Sequence, residues 1–551
     1  MIRWSLVVSV LLFAVSTASA DSAPWMEQLR AIPIQEDGRV MPLDSYAREI
    51  AVRVTGRQEW PAGRGPAVYS GREPIELLCD LLFKPDEFAH APFIAISDRS
   101  FKAAIGLDPD ADFFTPVEIA SNRGIAKYVD SYSQRRLKNP AAFPLRDQKR
   151  ALDLRFAVDL CNAFSAQSPL PIVPNGEGQA FLRAGIDQGD PGTEAVQAAL
   201  VVFGQAYVRG SDLEAPAIAL VGAVEGAGRL SPGTAQAIRL ELFMTDHAPL
   251  TKAVIAYALA IIVLGCSRFT ARRALVILAV ALAAWGIAEH VLGVALRVVI
   301  LGKPPVSNSY ESLLWMGLVA ALLGSISQLW RRRGWYGFAG ITTALASVLI
   351  AGLVPFQDQT NALPAVLRSN FWLTIHVLTI VASYGALAVA SVLGHVFLIR
   401  TAFRGSGVSD ATSPSDRSLT TQTYRMIQIG LFLLTTGTIL GGVWAADSWG
   451  RFWGWDPKET WALISIVTYF AVLHARHTGW LRDFGLAASA VLAFITIIWT
   501  FYGVNYVMAT GLHSYGFGSG GERWVGVCVI VEIVLVVLCR IRMIAIDQRT
   551  D

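Results

Sequence analysis

The chain has 551 residues, 53% of them hydrophobic and 16% charged, with a mean hydropathy of +0.45. Soluble domains carry about 25% charged residues, so this composition argues against a soluble enzyme. The formal net charge of +3 is too near neutral to mark a nucleic-acid binder.

The first twenty residues read as a signal peptide. Arg3 supplies a short positive region, Trp4–Val15 is apolar, and Ala18-Ser19-Ala20 fits an A-x-A cleavage site. Whether cleaved or retained as an anchor, it places the next segment on the export side of a membrane. Residues 21–246 have ordinary globular composition. Helical periodicity recurs near 43–55, 74–84, 114–137, 146–166, 193–208 and 232–246, and strand-like alternation is scarce. A mainly α-helical extracytoplasmic domain is expected here.

From 247 to 551 the texture changes. Nine apolar runs fall near 250–267, 274–298, 310–329, 336–356, 371–399, 426–445, 460–475, 484–507 and 524–541. Most approach the roughly 20 residues that cross a bilayer core. The expected fold class is an all-α polytopic membrane protein. With residue 21 outside, the inner loops hold Arg268, Arg272 and Arg273, then Arg331, Arg332 and Arg333, then Arg400, Arg404 and Arg417, then Arg476 and Arg482, with Arg540 and Arg542 in the tail. That distribution obeys the positive-inside rule.

Five cysteines do not make a disulfide framework. Cys79 and Cys161 lie in the exported region and are open to pairing. Cys266, Cys528 and Cys539 fall in or near apolar runs and read as packing residues. No C-x-x-C occurs, so no thiol-redox centre is indicated.

Three features meet on one side of this topology. His376 is near the outer end of the fifth run, and His513 follows the eighth. Five of the 16 tryptophans fall within Trp444–Trp461, in the outer loop between the sixth and seventh. Any one of these histidines taken alone reads as an interfacial hydrogen-bonding residue, and tryptophans alone as an interfacial belt. Belt tryptophans are spread over many helix ends, however, whereas these are clustered. Two imidazoles are a standard axial set for haem iron, and indoles offer flat apolar walls. Arg451 and Lys458 would face the haem propionates. His395 and His474 lie near the inner ends of their spans. His376 and His395 are roughly 28 Å apart along one helix, which suggests an outer and an inner station. His290 fits neither level. Glu289 and Glu532 are intramembrane and open to proton relay or to pairing with Arg297 and similar groups.

The run Trp453-Gly454-Trp455-Asp456-Pro457-Lys458-Glu459-Thr460-Trp461-Ala462-Leu463-Ile464 resembles the tryptophan-rich (WWD) signature of the CcsA/ResC family, the haem-handling proteins of system II cytochrome c maturation. Pro304–Leu313 looks like the family's first outer-loop motif. Trp372–Val377 looks like its outer histidine before the tryptophan loop, Leu473–Arg476 its transmembrane histidine, and Gly511–Tyr515 its second outer histidine. The resemblance covers about 250–540. More weakly, Gly38–Glu49 resembles the extracytoplasmic region of fused CcsBA-type proteins.

The resemblance implies that His376 and His513 ligate haem b at an outer site. Trp449, Trp453, Trp455, Asp456, Lys458 and Trp461 would line it. His474 would be one ligand of an inner site. The other inner ligand would come from a CcsB/ResB-like membrane partner or from His395. The implied activity is that of a holocytochrome c synthase, attaching haem to C-x-x-C-H apocytochromes with a thioredoxin-like protein supplying reduced thiols. The implied setting is the bacterial inner membrane, with the N-terminal domain and tryptophan loop on the periplasmic side. The competing readings are a haem exporter or carrier without synthase activity, a b-type electron-transfer subunit, and a purely structural assembly protein.

Overall fold

The computed structural model describes residues 23–550 apart from 37, 97–98, 176–178, 184–190, 229, 271–272, 332–334, 354–370, 405–413 and 509–521; within 139–169 it describes only Leu154, Phe156 and Asp159. The expected signal peptide and the helix expected at 146–166 therefore lie outside the described residues or nearly so. The chain separates into two compact units, dividing between His247 and Ala248.

The first unit opens with α1 (Pro24–Leu29) and a hairpin of β1 (Pro33–Glu36) and β2 (Arg39–Pro42). Helix α2 (Leu43–Thr55) buries Ala47, Ile50, Ala51 and Val54, one stripe at helical spacing. Helix α3 (Pro74–Phe83) starts with Pro74 at its first position and a capping box between Glu73 and Glu76. Helices α4 (Pro191–Arg209), α5 (Glu214–Ala227) and α6 (Pro232–His247) complete the main frame. One core gathers Ile34, Met41, Ala47, Leu78, Val196, Phe203 and Leu220, and a second gathers Ile50, Tyr69, Leu77, Leu81 and Phe93. Arg39 donates to Glu241 at 2.6 Å, tying β2 to α6, and Arg30 bonds Asp246.

The helix expected over 114–137 is two helices, Pro116–Ser121 and Arg123–Lys138. Phe113–Phe114 instead pairs with Ile94–Ala95 as a short antiparallel ladder. Helix α5 escaped the periodicity reading because its Ala- and Gly-rich sequence shows no contrast between faces. Cys79 is a buried free thiol, and Cys161 lies outside the described residues.

In the second unit each of the nine apolar runs falls on a helix. These are α7 (Pro249–Thr270), α8 (Arg273–Leu301), α9 (Ser309–Arg331), α10 (Tyr336–Leu353), α11 (Phe371–Arg404), α12 (Pro414–Trp449), α13 (Pro457–His477), α14 (Asp483–Ile498), which continues as a π-helix over Trp499–Met508, and α15 (Glu522–Thr550). This is an all-α polytopic membrane protein. Among the described residues six helices are long and apolar enough to cross a membrane: Pro232–Ser267, Arg273–Leu301, Ser309–Trp330, Thr374–Phe403, Arg417–Trp449 and Asp483–Met508. Tyr336–Gly352 is a shorter apolar helix. Among the described residues, six of the nine expected spans, on α7, α8, α9, α11, α12 and α14, reach that length and hydropathy, and the fourth is the shorter helix. Helix α13 carries Lys458, Glu459, His474 and Arg476 near its ends, which lowers its hydropathy.

Helix α11 is the centre of this unit and packs against α9, α10, α12, α14 and α15. Its Leu387, Leu393 and Leu398 meet Leu419, Ile427 and Leu434 of α12 and Leu486 and Ala490 of α14 in one core. With little hydrophobic drive between helices in lipid, such packing and a few interhelical hydrogen bonds hold the bundle.

Candidate functional site at one end of the membrane bundle

His376 sits in the second turn of α11, half-buried against α12. Its Nδ1 lies 2.6 Å from the Gly437 carbonyl oxygen. A carbonyl only accepts, so Nδ1 carries the proton and Nε2 holds the lone pair. That is the tautomer in which a histidine ligates a metal through Nε2, the other nitrogen being anchored to backbone. The ring fits because residue 441 is glycine: a Cβ there would stand 2.6 Å from His376 Cε1. The next residue does the same for another ring, since a Cβ at Gly442 would stand 2.5 Å from Phe452 Cζ. Adjacent glycines of α12 thus make room for His376 and for an aromatic side chain of the tryptophan loop.

That loop is built by the end of one helix and the start of the next. Helix α12 stops at Trp449, and Gly450 takes a left-handed φ of +69°. Helix α13 starts with Asp456 as its cap: its Oδ1 accepts from Lys458 N at 3.0 Å, with Pro457 in the first position. Glu459 completes the capping box, its Oε2 accepting from Asp456 N at 3.2 Å and from Gly454 N at 2.8 Å. Its Oε1 is 3.5 Å from Arg451 Nη1, and the Arg451 guanidinium stands over the Trp449 ring at 5.7 Å. Both acidic residues therefore hold the loop's shape. Just before Asp456, Trp455 is 70% exposed and adopts φ +56°, the left-handed region that costs a bulky residue energy. Trp453 meets Trp455 edge-on at 5.9 Å, Trp449 meets the buried Trp444 at 4.6 Å, and Trp461 packs on Trp499 at 5.6 Å.

The motif at 304–313 reaches the same end. Asn308 accepts from Glu311 N at 2.8 Å, and Glu311 accepts from Ser307 N at 2.9 Å, which caps α9. Glu311 also pairs with Arg297 at 3.2 Å, both nearly fully buried, and the Arg297 guanidinium lies over Tyr310. Tyr506 of the π-helix donates to Ser309 Oγ at 2.8 Å. Asn505, beside it, accepts from Lys458 Nζ at 3.2 Å. Lys458 precedes the apolar run of α13. Burial pushes its ammonium down to about 8, while the Asp456 carboxylate pulls it back up.

The remaining histidines are placed differently. Both nitrogens of His395 are engaged, Nε2 with Glu532 at 2.6 Å and Nδ1 with the Ser391 carbonyl at 2.8 Å, so iron ligation through Nε2 there would require breaking the Glu532 contact. Glu532 thus pairs with His395, and Arg297 with Glu311. His290 is fully buried beside Tyr257, whose OH lies 3.3 Å from Nδ1. His474 is exposed on α13, in line with the exposed Leu463, Val467 and Phe470. His513 and its motif lie outside the described residues. Sequence reasoning missed Gly437, Gly441, Gly442, Asn505 and Tyr506. The Gly441-Gly442 pair just before the tryptophans and a lone Asn in an apolar run were the available signals.

Residues 306–513 match the family model described as Cytochrome C assembly protein. The cytochrome c biogenesis protein CcsA of Gloeobacter violaceus is 34% identical over 271 residues, 39% of this chain and 79% of the relative. Its counterpart in Synechococcus sp. (strain CC9311) is 36% identical over 259 residues, 40% of this chain and 81% of the relative. The chain belongs to the CcsA family. A role in cytochrome c biogenesis follows for this CcsA-family chain. Protein NrfI of Wolinella succinogenes is 38% identical over 247 residues, 42% of this chain, and the chain spans only 25% of NrfI's own length.

Proposed function

We propose that this chain holds haem b in the membrane, presents it at the outer face and promotes its thioether attachment to C-x-x-C-H apocytochromes. The observation that carries the reading is the His376 seat. Its Nδ1 is fixed by the Gly437 carbonyl, which orients Nε2, and an aromatic ring of the tryptophan loop is packed on the neighbouring glycine. These residues fit a planar iron macrocycle: an oriented imidazole, flat apolar walls from Phe452, Trp449, Trp453, Trp455 and Trp461, and a cation at Lys458 for a carboxylate. His513 supplies the second outer ligand in this proposal.

The chain's own residues bind and orient; none need act as nucleophile. Each substrate thiol adds across one vinyl group of the haem, sulfur to one carbon and hydrogen to the other, with no net oxidation. Apolar walls hold the porphyrin in one orientation and bring vinyl and thiol together, so proximity supplies the main acceleration. A thioredoxin-like partner keeps the thiols reduced. The exposed stripe Leu463, Val467, Phe470 and His474 suits a CcsB/ResB-like membrane partner, since an imidazole on a lipid-facing surface is costly without a companion. The Glu532 contact that occupies His395 Nε2 speaks for that partner, rather than His395, as the source of the second inner ligand, and against an electron-transfer subunit with paired histidines at both levels.

Reconstitution of the full chain with a CcsB/ResB-like protein, haem, reductant and a C-x-x-C-H apocytochrome tests the reading. The expected product carries haem that acid-acetone extraction does not remove. Haem binding and transfer without any covalent product would leave a carrier and overturn the synthase proposal.

A further inference from the structure

The π-helix Trp499–Met508 joins the site's elements through polar contacts. Thr500 Oγ1 donates to the Trp461 carbonyl at 3.2 Å, Tyr506 reaches Ser309 of α9, and Asn505 reaches Lys458 of α13. Long π-helical stretches are rare and are found frequently at functional sites. Here the altered winding lets two consecutive residues, Asn505 and Tyr506, serve two different helices.

The chemistry of the Asn505 contact is specific. Its Nδ2 donates to the Phe501 carbonyl at 2.8 Å, which fixes the amide so that Oδ1 faces the Lys458 ammonium. Asn505 is 5% exposed, so its amide is held by packing as well. An amide oxygen gives the ammonium a hydrogen bond without cancelling its charge. A carboxylate at the same place would cancel it. The Asp456 carboxylate is turned to capping α13 through the Lys458 backbone N–H. The arrangement holds a positive charge in the first turn of α13, directly after the tryptophan loop.

We propose that Asn505 is a positioning residue that holds Lys458 with its charge available, so that the two form a station for a haem propionate. This rests on the haem reading above and adds the group that fixes the ligand's polar edge. The test titrates the purified full chain with haem and with haem dimethyl ester, whose carboxylates are blocked. Wild type is expected to prefer haem by about tenfold, the scale of one charge-assisted hydrogen bond. Asn505→Asp, nearly isosteric, and Lys458→Gln are both expected to bind haem and its ester equally. An unchanged preference in Asn505→Asp, or no preference in wild type, overturns this inference while leaving haem binding intact. Wild type that binds neither compound overturns the haem reading and this inference together.

Discussion

A methyl group on Gly441 would stand 2.6 Å from the His376 ring, whose own hydrogen bond to Gly437 leaves it little room to swing. Forcing extra volume into a packed site costs about 1–3 kcal/mol, and here the strain falls on the expected iron ligand. Gly441→Ala should therefore reduce haem bound by the purified chain nearly as far as His376→Ala does. Gly442→Ala should displace Phe452 and shift the absorbance maximum while keeping the ligand; if Gly441→Ala instead bound haem as wild type does, the glycine seat would have no such role. Lys458 offers a second residue-scale check. Its ammonium is held down to about 8, so it is charged below that pH and neutral above it, with Asp456 the carboxylate acting on it. Haem affinity should fall as pH rises through about 8. Lys458→Arg, whose guanidinium stays charged, should flatten that profile, and an equal decline in both proteins would dissociate the lysine from the effect. At this scale the sequence made the ligand types legible. His376 and the tryptophans stood out by composition and clustering. Their seats did not, because a glycine's partner across a helix pair is set by packing that no local pattern records.

The start of α13 is the element on which the loop's shape depends. Asp456 and Glu459 form its capping box, and Glu459 also holds Gly454 and Arg451. Loss of a cap costs about 0.5–2 kcal/mol, and Asn caps as well as Asp. Asp456→Asn should thus keep thermal stability and cytochrome maturation near wild type, whereas Asp456→Ala should lower both. Maturation abolished in Asp456→Asn would mean that the carboxylate takes part in proton transfer instead. The nine apolar runs located each helix described in the second unit, since long hydrophobic stretches are unambiguous. The limits of that reading are instructive. Helix α13 carries ionisable residues at its ends because its N-terminus helps build the site, and α15 carries Glu532 because that residue meets His395 of α11. The π-helix was invisible, since one altered winding within an apolar run leaves the pattern apolar. In the first unit the two- to four-residue strands were too short to show alternation, and α5 had too little contrast to show a stripe.

Taken whole, the second unit brings to one end of its bundle three segments far apart in sequence: the 304–313 motif, the start of α11 and the tryptophan loop, tied together by Ser309–Tyr506, Asn505–Lys458 and the glycines of α12. The argument from alternating spans set His376, the tryptophan loop and His513 on one side; the glycines of α12 join the first two, and His513 lies outside the described residues. Membership of the CcsA family places the molecule in cytochrome c biogenesis, and the seat of His376 is where the haem proposal meets the structure. Absorbance and electron paramagnetic resonance of the purified full chain loaded with haem test it most directly. Wild type should show low-spin haem with two imidazole ligands. His376→Ala should lose that signal and regain it with added imidazole. Identical low-spin spectra from wild type and His376→Ala would contradict the account.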